Sequence, residues 1–436
     1  MKIKPMKKMP LIREMHITPI AITDPPLLNA AGLHAPYALR TVIELVTSDN
    51  ISGVSEIPGS KSVNDALEKI RDVVTGTDPF QLNMLMQSLK PAVTGETDLR
   101  GDQPWDRRKL VHIYSAIEVA CLDIIGKVCN RPVVDLLGGK CRDHVPFAAY
   151  LFYKVEGAGG EPGFSKDRVA SGWPAIRQEQ ALNPDEIVRQ ARAMCSEYGF
   201  RSIKLKGGVY HPDLETDAII ALYREFGPEI PLRLDPNALW EVDTALAVGK
   251  KLENYLEYLE DPVRGQKSMS EVRKKLKSPL ATNMCTTSFD DIPGSIESGS
   301  EDIILCDHHF WGGLRACMHL ERIAGVFGKS LSMHSNSHLG ISLAAMVHLG
   351  AAISKLDYAL DTHYPWQSEE IIREGAFKFE NGSVAVPTQP GLGVTLDRQA
   401  LGKLNEQYIA CGLTERDDEV EMQKIEPGWT FKPTRW

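Results

Sequence analysis

The sequence predicts an α/β protein: a TIM-type (β/α)8 barrel capped by an α+β segment. Three observations carry that expectation. From Phe147 onward, short apolar runs alternate with helical stretches about eight times, the number such a barrel needs. Asp235, Glu260 and Asn283 each close one of these runs, at intervals of 25 and 23 residues, which is one strand plus one helix. Before Val145 the rhythm is different, with alternating apolar and polar residues around a turn and then a helical period.

The elements follow in chain order. ALRTVIELVTSDNISGVSEIPG alternates around Ser-Asp-Asn and predicts a hairpin or meander, and the apolar residues of VHIYSAIEVACLDIIGKV return every three or four, predicting a helix. VPFAAYLFY then opens the barrel and PDEIVRQARAMCSEYG follows it; FRSIKLKGG, LRLDPN, YLEYLEDP, LATNMC, DIILCDHHF, SLSMHSNS and YALDTHY continue the series. Pro184 and Pro212 stand near helix starts, and Gly199 and Gly227 just past helix ends. The stretch from Val155 to Gln180 is rich in Gly and charge and reads as a long loop of the kind that forms lids or stays disordered. After Tyr364, FKFENGSVAVP carries an Asn-Gly hairpin signal, and the remaining tail is too poor in apolar residues to fold alone, so it should pack back on the N-terminal segment. The expected division is residues 1–140 as cap, 141–375 as barrel and 376–436 as a returning tail.

Composition excludes several function classes. With 43% apolar and 25% charged residues the chain is globular, and a net charge of -9 offers no basic surface for nucleic acid or anionic lipid. An anionic substrate would need local cations. No apolar run approaches the roughly 18 residues of a membrane span. The basic start MKIKPMKKMPLIREM lacks an apolar signal core, and the eight scattered cysteines read as mostly buried thiols, so the cytoplasm is the expected compartment.

The chemistry is concentrated at strand ends. In a closed barrel the carboxyl ends of neighbouring strands lie side by side, so Asp235, Glu260 and Asn283 would converge as an oxygen set suited to Mg²⁺. Each alone passes for a turn former; their common interval argues otherwise. Lys204 and Lys206, two apart in RSIKLKGG, point to one side of their strand, and neighbouring ammonium groups should depress each other's pKa. A metal beside such a pair suggests proton abstraction next to a carboxylate. Asp307 and His334 end the sixth and seventh runs, where the carboxylate could orient the imidazole as a second acid/base across the mouth from Lys206. His308, His309 and His338 stand close by, and spacing alone does not exclude them.

Read together, KLK, LDPN, EDP, ATNMC, the Asp307 segment and MHSNSHLGIS resemble the enolase superfamily, and within it the glucarate dehydratase group; lysine or histidine bases with magnesium are that superfamily's known pattern. The resemblance runs from LLNAAGLHAPY to ERDD and PGWTF. It implies that Asp235, Glu260 and Asn283 hold Mg²⁺, with Lys206 as one base and His334, oriented by Asp307, as the other. It also implies that Lys204, Asn237, Ser335, Asn336, His34, Tyr150, His363 and Arg416 contact substrate or intermediate, Asn237 belonging to the catalytic group and Asp235 and Asn283 also touching substrate. The implied reaction is dehydration of a sugar diacid, D-glucarate or L-idarate, to 5-dehydro-4-deoxy-D-glucarate through an enediolate, by a homo-oligomeric enzyme. Another aldarate or aldonate, or sugar-acid binding with little turnover, are the alternatives. One departure bears on the substrate. Where the family carries a threonine before an aromatic-Asp pair, this chain has Gln103-Pro104-Trp105-Asp106, and proline offers neither hydroxyl nor N–H.

Overall fold

The computed structural model describes residues 10–93, 108–168 and 171–436. Pro104 with its neighbours and the basic start before Pro10 lie outside the described residues. The cap is built on three antiparallel strands, β1 (Ile12–Thr23), β2 (Tyr37–Thr47) and β3 (Ser52–Pro58), in the order β1-β2-β3. The turn between β2 and β3 places Asn50 at φ 62°, a conformation that Asn tolerates, which is why Ser-Asp-Asn reverses the chain there. Helix α1 (Lys109–Cys129) lies across this sheet with most of its residues buried and ends at Asn130 in the left-handed region. Its approach is close enough that a Cβ on Gly53 would meet the Ala120 carbonyl at 2.0 Å, so β3 needs glycine at that crossing.

Seven parallel strands follow: β4 (Ala149–Phe152), β5 (Ile203–Lys206), β6 (Leu232–Asp235), β7 (Leu256–Glu260), β8 (Leu280–Thr282), β9 (Ile303–Cys306) and β10 (Ser330–Met333), hydrogen-bonded in sequence order. The eighth position is a short segment around Leu360. Leu360 pairs in parallel with Phe147, Ala148 N–H donates to the Leu360 carbonyl (2.8 Å), and Asp361 N–H donates to the Met333 carbonyl (3.0 Å), which joins β10 to β4 and closes the barrel. Helices α2 (Pro184–Tyr198), α3 (Pro212–Phe226) and α4 (Val242–Leu252) connect strands in the predicted way, with Pro184 and Pro212 in the first turn and Gly199 and Gly227 ending the first two.

Alternation along the strands fills the barrel with polar groups. Ile203, Leu205, Leu232 and Leu234 are buried toward the helices, while Lys204, Lys206, Arg233, Asp235, Tyr258 and Glu260 occupy the alternate positions. Arg233, two residues before Asp235 on the same strand, stacks 4.7 Å from the Tyr258 ring and donates to Glu257 and to the Ala359 carbonyl. The centre of the barrel is thus an ion-paired interior, with Leu, Ile and Val on its outer face.

The segment after β4 is folded in its described part. Lys154 and Ala181 pair as an antiparallel bridge, a short helix runs over Trp173–Ile176, and the buried Trp173 indole donates to the Pro365 carbonyl (2.6 Å). Gly160 N–H reaches the Pro36 carbonyl, so this stretch ties cap to barrel. The hairpin near Asn381 forms as its turn residues require, with Asn381 and Gly382 both at positive φ between Phe379–Glu380 and Ser383–Ala385. The later helix Arg398–Cys411 lies along β1, with Asn405 and Gln407 donating to the carbonyls of Pro19 and Ala21. All eight cysteines are free thiols, but only Cys121, Cys306 and Cys317 are buried, fewer than composition suggested. Among the described residues no helix is long and apolar enough to cross a membrane.

Candidate active site at the carboxyl ends of the strands

The lysine flank is an ion-pair lattice. Lys206 Nζ donates to Asp235 Oδ2 at 2.7 Å; Lys204 Nζ donates to Glu260 Oε2 (2.6 Å) and Asp361 Oδ2 (2.7 Å) and lies 3.4 Å from Asp235 Oδ2. Asn283, just past β8, donates Nδ2 to Glu260 Oε1 (2.9 Å), and Asn237 donates its backbone N–H to Asp235 Oδ1 (3.0 Å). Three strand ends therefore bring Asp235, Glu260 and Asn283 together. The loops that do this hold Asn237, Ala238 and Asp261 at positive φ, a conformation costly for residues with a Cβ and concentrated here at the ends of β6 and β7. Asp261 fixes the last of the three, accepting from Asn283 N–H (2.8 Å) and from Thr282 Oγ1.

Charge in this lattice does not behave as the lysine spacing suggested. Lys204 is held well above the ordinary lysine range: burial pulls its pKa down, but Asp361 and Glu260 outweigh that and keep the ammonium charged. The expected mutual depression by two ammonium groups is thereby overturned at Lys204, because its nearest neighbours are carboxylates. Asp235 is held low, the lysine charges overcoming the opposing effect of burial. Glu260 is pushed far up by burial and by the Asp235 charge, against the pull of Lys204. Glu260 and Asp235 thus crowd each other as carboxylates, although Lys204, Lys206 and Arg233 stand against Glu260, Asp235 and Asp361. A divalent cation would relieve that crowding, and two carboxylates with an amide form an oxygen set suited to Mg²⁺. Turning the Asn283 amide about its terminal torsion would put oxygen against the Glu260 carboxylate, an arrangement that a cation between them would favour.

The histidine flank is a hydrogen-bond relay. His334 Nδ1 lies 3.1 Å from Asp307 Oδ2, while Asp307 Oδ1 accepts from His309 N–H (2.8 Å) and faces His309 Nδ1 at 2.9 Å. Ionised Asp307 can only accept, so it requires Nδ1–H on His334, and Nε2 carries the lone pair. Burial lowers the His334 pKa, and Asp307 opposes this only in part. Asp307 itself is held well below the carboxylate range, the two histidines prevailing over burial. Of the neighbouring histidines, His309 shares Asp307, His308 Nδ1 lies 3.8 Å from it and His338 Nε2 meets Thr362 Oγ1; of the four, His334 is the one that lines the cavity between the flanks.

Between the flanks lies a cavity of about 60 Å³ lined by Lys206, His334, Ser335, Asn336, His363 and Tyr150, with His34, Asn29 and Arg416 at its cap side. Lys204, Asp235, Glu260, Asn237 and Asn283 are not among its lining residues, and lie beyond Lys206. Ser335 Oγ meets His363 Nδ1 at 2.7 Å, and the Tyr150 ring sits edge-on to His363 with Lys204 Nζ over it at 4.8 Å. His34 is held by Asp24 (2.9 Å), and Arg416 by both oxygens of Asp418, which also accepts from Asn29. Asp24, Asn29, Asp361 and Asp418 escaped the sequence reading. Asp361 had a usable signal, since Asp361 and His363 repeat at a strand end the two-residue spacing of Lys204 and Lys206.

Comparison with known proteins agrees with this construction. Residues 186–400 match the family described as Enolase C-terminal domain-like, and residues 22–138 match the N-terminal domain of mandelate racemase and muconate lactonizing enzyme. The chain is 43% identical to a protein named probable glucarate dehydratase from Streptomyces coelicolor, over 98% of this chain and 99% of that one. An enolase from Thermobispora bispora, solved with magnesium and formate, superposes with a TM-score of 0.91 at 46% identity, covering 98% of this chain and 100% of that one. One from Pseudomonas fluorescens, solved with magnesium, potassium and tartrate, gives 0.92 at 42% identity, covering 99% and 100%. A barrel whose strand ends carry this lysine lattice and aspartate-histidine relay, under a cap whose β1–β2 connection supplies His34, belongs to the enolase superfamily, in its glucarate dehydratase group.

Proposed function

We propose that the chain is a hydro-lyase that dehydrates a sugar diacid, D-glucarate and its epimer L-idarate first, to 5-dehydro-4-deoxy-D-glucarate. The observation that carries this reading is the shared cavity: Lys206 and His334, from β5 and the end of β10, both line it, with the Leu360 segment and β4 between their strands. Two bases facing one carbon from opposite faces serve two configurations at that carbon. The dehydratase name of the Streptomyces coelicolor relative and the diacid bound in the Pseudomonas fluorescens structure support the substrate class.

Asp235, Glu260 and Asn283 would hold Mg²⁺. When bound, the cation supplies electrostatic stabilisation of the charge that grows on the substrate carboxylate as the α-proton leaves. The chain's own residues do the rest. His334 Nε2 takes the α-proton on one face while Asp307 stabilises the imidazolium that forms; Lys206, as the free amine, takes it on the other. Electrons of the broken C–H bond form the C–C double bond, the β C–O bond breaks as its hydroxyl leaves with a proton, and the enol that results gains a proton at the β-carbon and loses its O–H proton to give the keto product. The conjugate acid of the base that acted first is a donor within reach. Lys204 remains protonated as a counter-charge. His34, Tyr150, Ser335, Asn336, His363 and Arg416 grip the remainder of the diacid, with Asn237 positioning Asp235.

A panel of hexarates and aldonates with Mg²⁺, followed by appearance of the keto product, tests this. D-glucarate and L-idarate should turn over and aldonates should not. Turnover of an aldonate alone would overturn the diacid assignment, and full activity after exhaustive chelation would overturn the metal. A different aldarate is the second reading, favoured by Pro104 where the family carries a threonine.

A further inference from the structure

The cap strand β2 places Arg40 inside the molecule, against the loop that follows β10. Its side chain is 2% exposed and each guanidinium nitrogen is engaged. Nε donates to Glu56 Oε1 (3.0 Å), Nη1 to Asn336 Oδ1 (2.7 Å) and Nη2 to Ser342 Oγ (3.2 Å), with His309 Nε2 3.4 Å from Nη2. Glu56 in turn accepts from the backbone N–H of Leu339 (2.8 Å) and Ser342 (3.1 Å), at the start of the helix Gly340–Ala352. A carboxylate at that end satisfies two otherwise unpaired N–H groups and complements the helix dipole. The cap therefore holds the loop that carries His334, Ser335 and Asn336 at its middle, through Asn336, and at its far end, through Leu339 and Ser342.

The bond to Asn336 has a chemical consequence. A guanidinium can only donate, so it fixes the amide with oxygen toward Arg40 and nitrogen away from it. That nitrogen, Nδ2, is buried and has no partner among the described residues, and Asn336 lines the cavity. We infer that Arg40 is a positioning residue for substrate recognition: it holds Asn336 so that a hydrogen-bond donor, and not an acceptor, faces the cavity, which selects a carboxylate or hydroxyl oxygen of the diacid. Through Glu56 and His309 the same residue braces the Asp307–His334 pair. The inference rests on the proposed diacid site.

Binding of tartrate, a non-reacting diacid, to the Mg²⁺-loaded protein tests it by calorimetry, with KM for D-glucarate measured alongside. The variants are Asn336→Ala, Arg40→Lys and the double variant. Arg40→Lys keeps the charge opposite Glu56, so the fold is retained, while one ammonium cannot also reach Asn336. Each single change should weaken tartrate about tenfold, the worth of one hydrogen bond to a charged group, and raise KM more than it lowers kcat. The double variant should be no weaker than either single by more than about threefold, because both remove one interaction. Arg40→Met, which removes the donors at similar length, should match Arg40→Lys in affinity if it folds. Losses that multiply in the double variant would overturn the positioning role and leave the diacid site standing. An Asn336→Ala variant with unchanged affinity would remove the Asn336 contact and this inference with it, and wild-type protein that binds neither diacid would remove the proposed site itself.

Discussion

The two flanks of the cavity do similar work by different construction. On the lysine side, Lys206, Asp235, Lys204, Glu260 and Asp361 all come from strand ends of the barrel and are ordered by direct ion pairing. On the histidine side, one carboxylate, Asp307, orients His334, and the support behind it comes from the cap through Arg40, Glu56 and His309. The first flank is set by the spacing of the barrel; the second requires two parts of the chain to meet. A change on the lysine side should therefore disturb charge and metal affinity, while a change on the histidine side should disturb orientation.

The largest effect should come from the carboxylates. Asp235→Asn or Glu260→Gln should cut turnover by about 10³-fold with both epimers, since the charge that stabilises the reaction is lost whichever base acts. Stability gives a separate readout. Mg²⁺ at a hundred times its Kd should raise the unfolding free energy of the wild type by about 2.7 kcal/mol, and that gain should vanish in both variants. A gain retained in both would place the cation elsewhere.

A smaller and one-sided effect is expected at Asp307. Asp307→Asn removes the charge that stabilises imidazolium, and should lower turnover of the histidine-dependent epimer about 10- to 100-fold while sparing the other. Burial already holds the His334 pKa below the ordinary histidine value, against the pull of Asp307. The base works unprotonated, so its rate falls as pH drops through that pKa. Without the carboxylate the pKa drops further, and the acid limb of the rate profile should move to lower pH. A limb that moves to higher pH would contradict the relay.

The smallest effect belongs to the scaffold that both flanks share. Asn183 caps helix α2 by accepting from Glu186 N–H (3.0 Å). Asn183→Ala should cost about 1 kcal/mol in denaturant unfolding, with both epimers turned over as in wild type. Unequal loss of activity would mean that the flanks are not mechanically separate from the outer helices.

How much of this was legible follows from the same division. Asp235, Glu260, Asn283, Lys204 and Lys206 could be read from the chain because the strand-helix interval and the two-residue alternation fix which residues share a barrel mouth. Asp361 followed the same rule, but on a segment so short that its apolar run gives little signal. The histidine flank was legible only in part. Asp307 and His334 end adjacent strands, whereas Arg40 lies 296 residues from Asn336 and 269 from His309, a meeting that no local pattern announces. Asp24 and Asp418 look like ordinary loop acids until His34 and Arg416 are seen against them. The charged state of Lys204 depends on Asp361 and Glu260 converging on it, which reversed the expectation drawn from the lysine pair alone. The stretch after β4 read as a long loop of the kind that forms lids or stays disordered, and its described part is tied to Pro36 and Pro365 by hydrogen bonds.

The central claim is that one cavity carries two bases on opposite faces. Exchange of the substrate α-proton with deuterated solvent, measured separately for D-glucarate and L-idarate in Lys206→Ala and His334→Ala, tests it most directly. Each variant should lose exchange and turnover with one epimer and keep appreciable exchange with the other, with opposite preferences in the two variants. Equal losses with both epimers, in both variants, would contradict the two-base assignment.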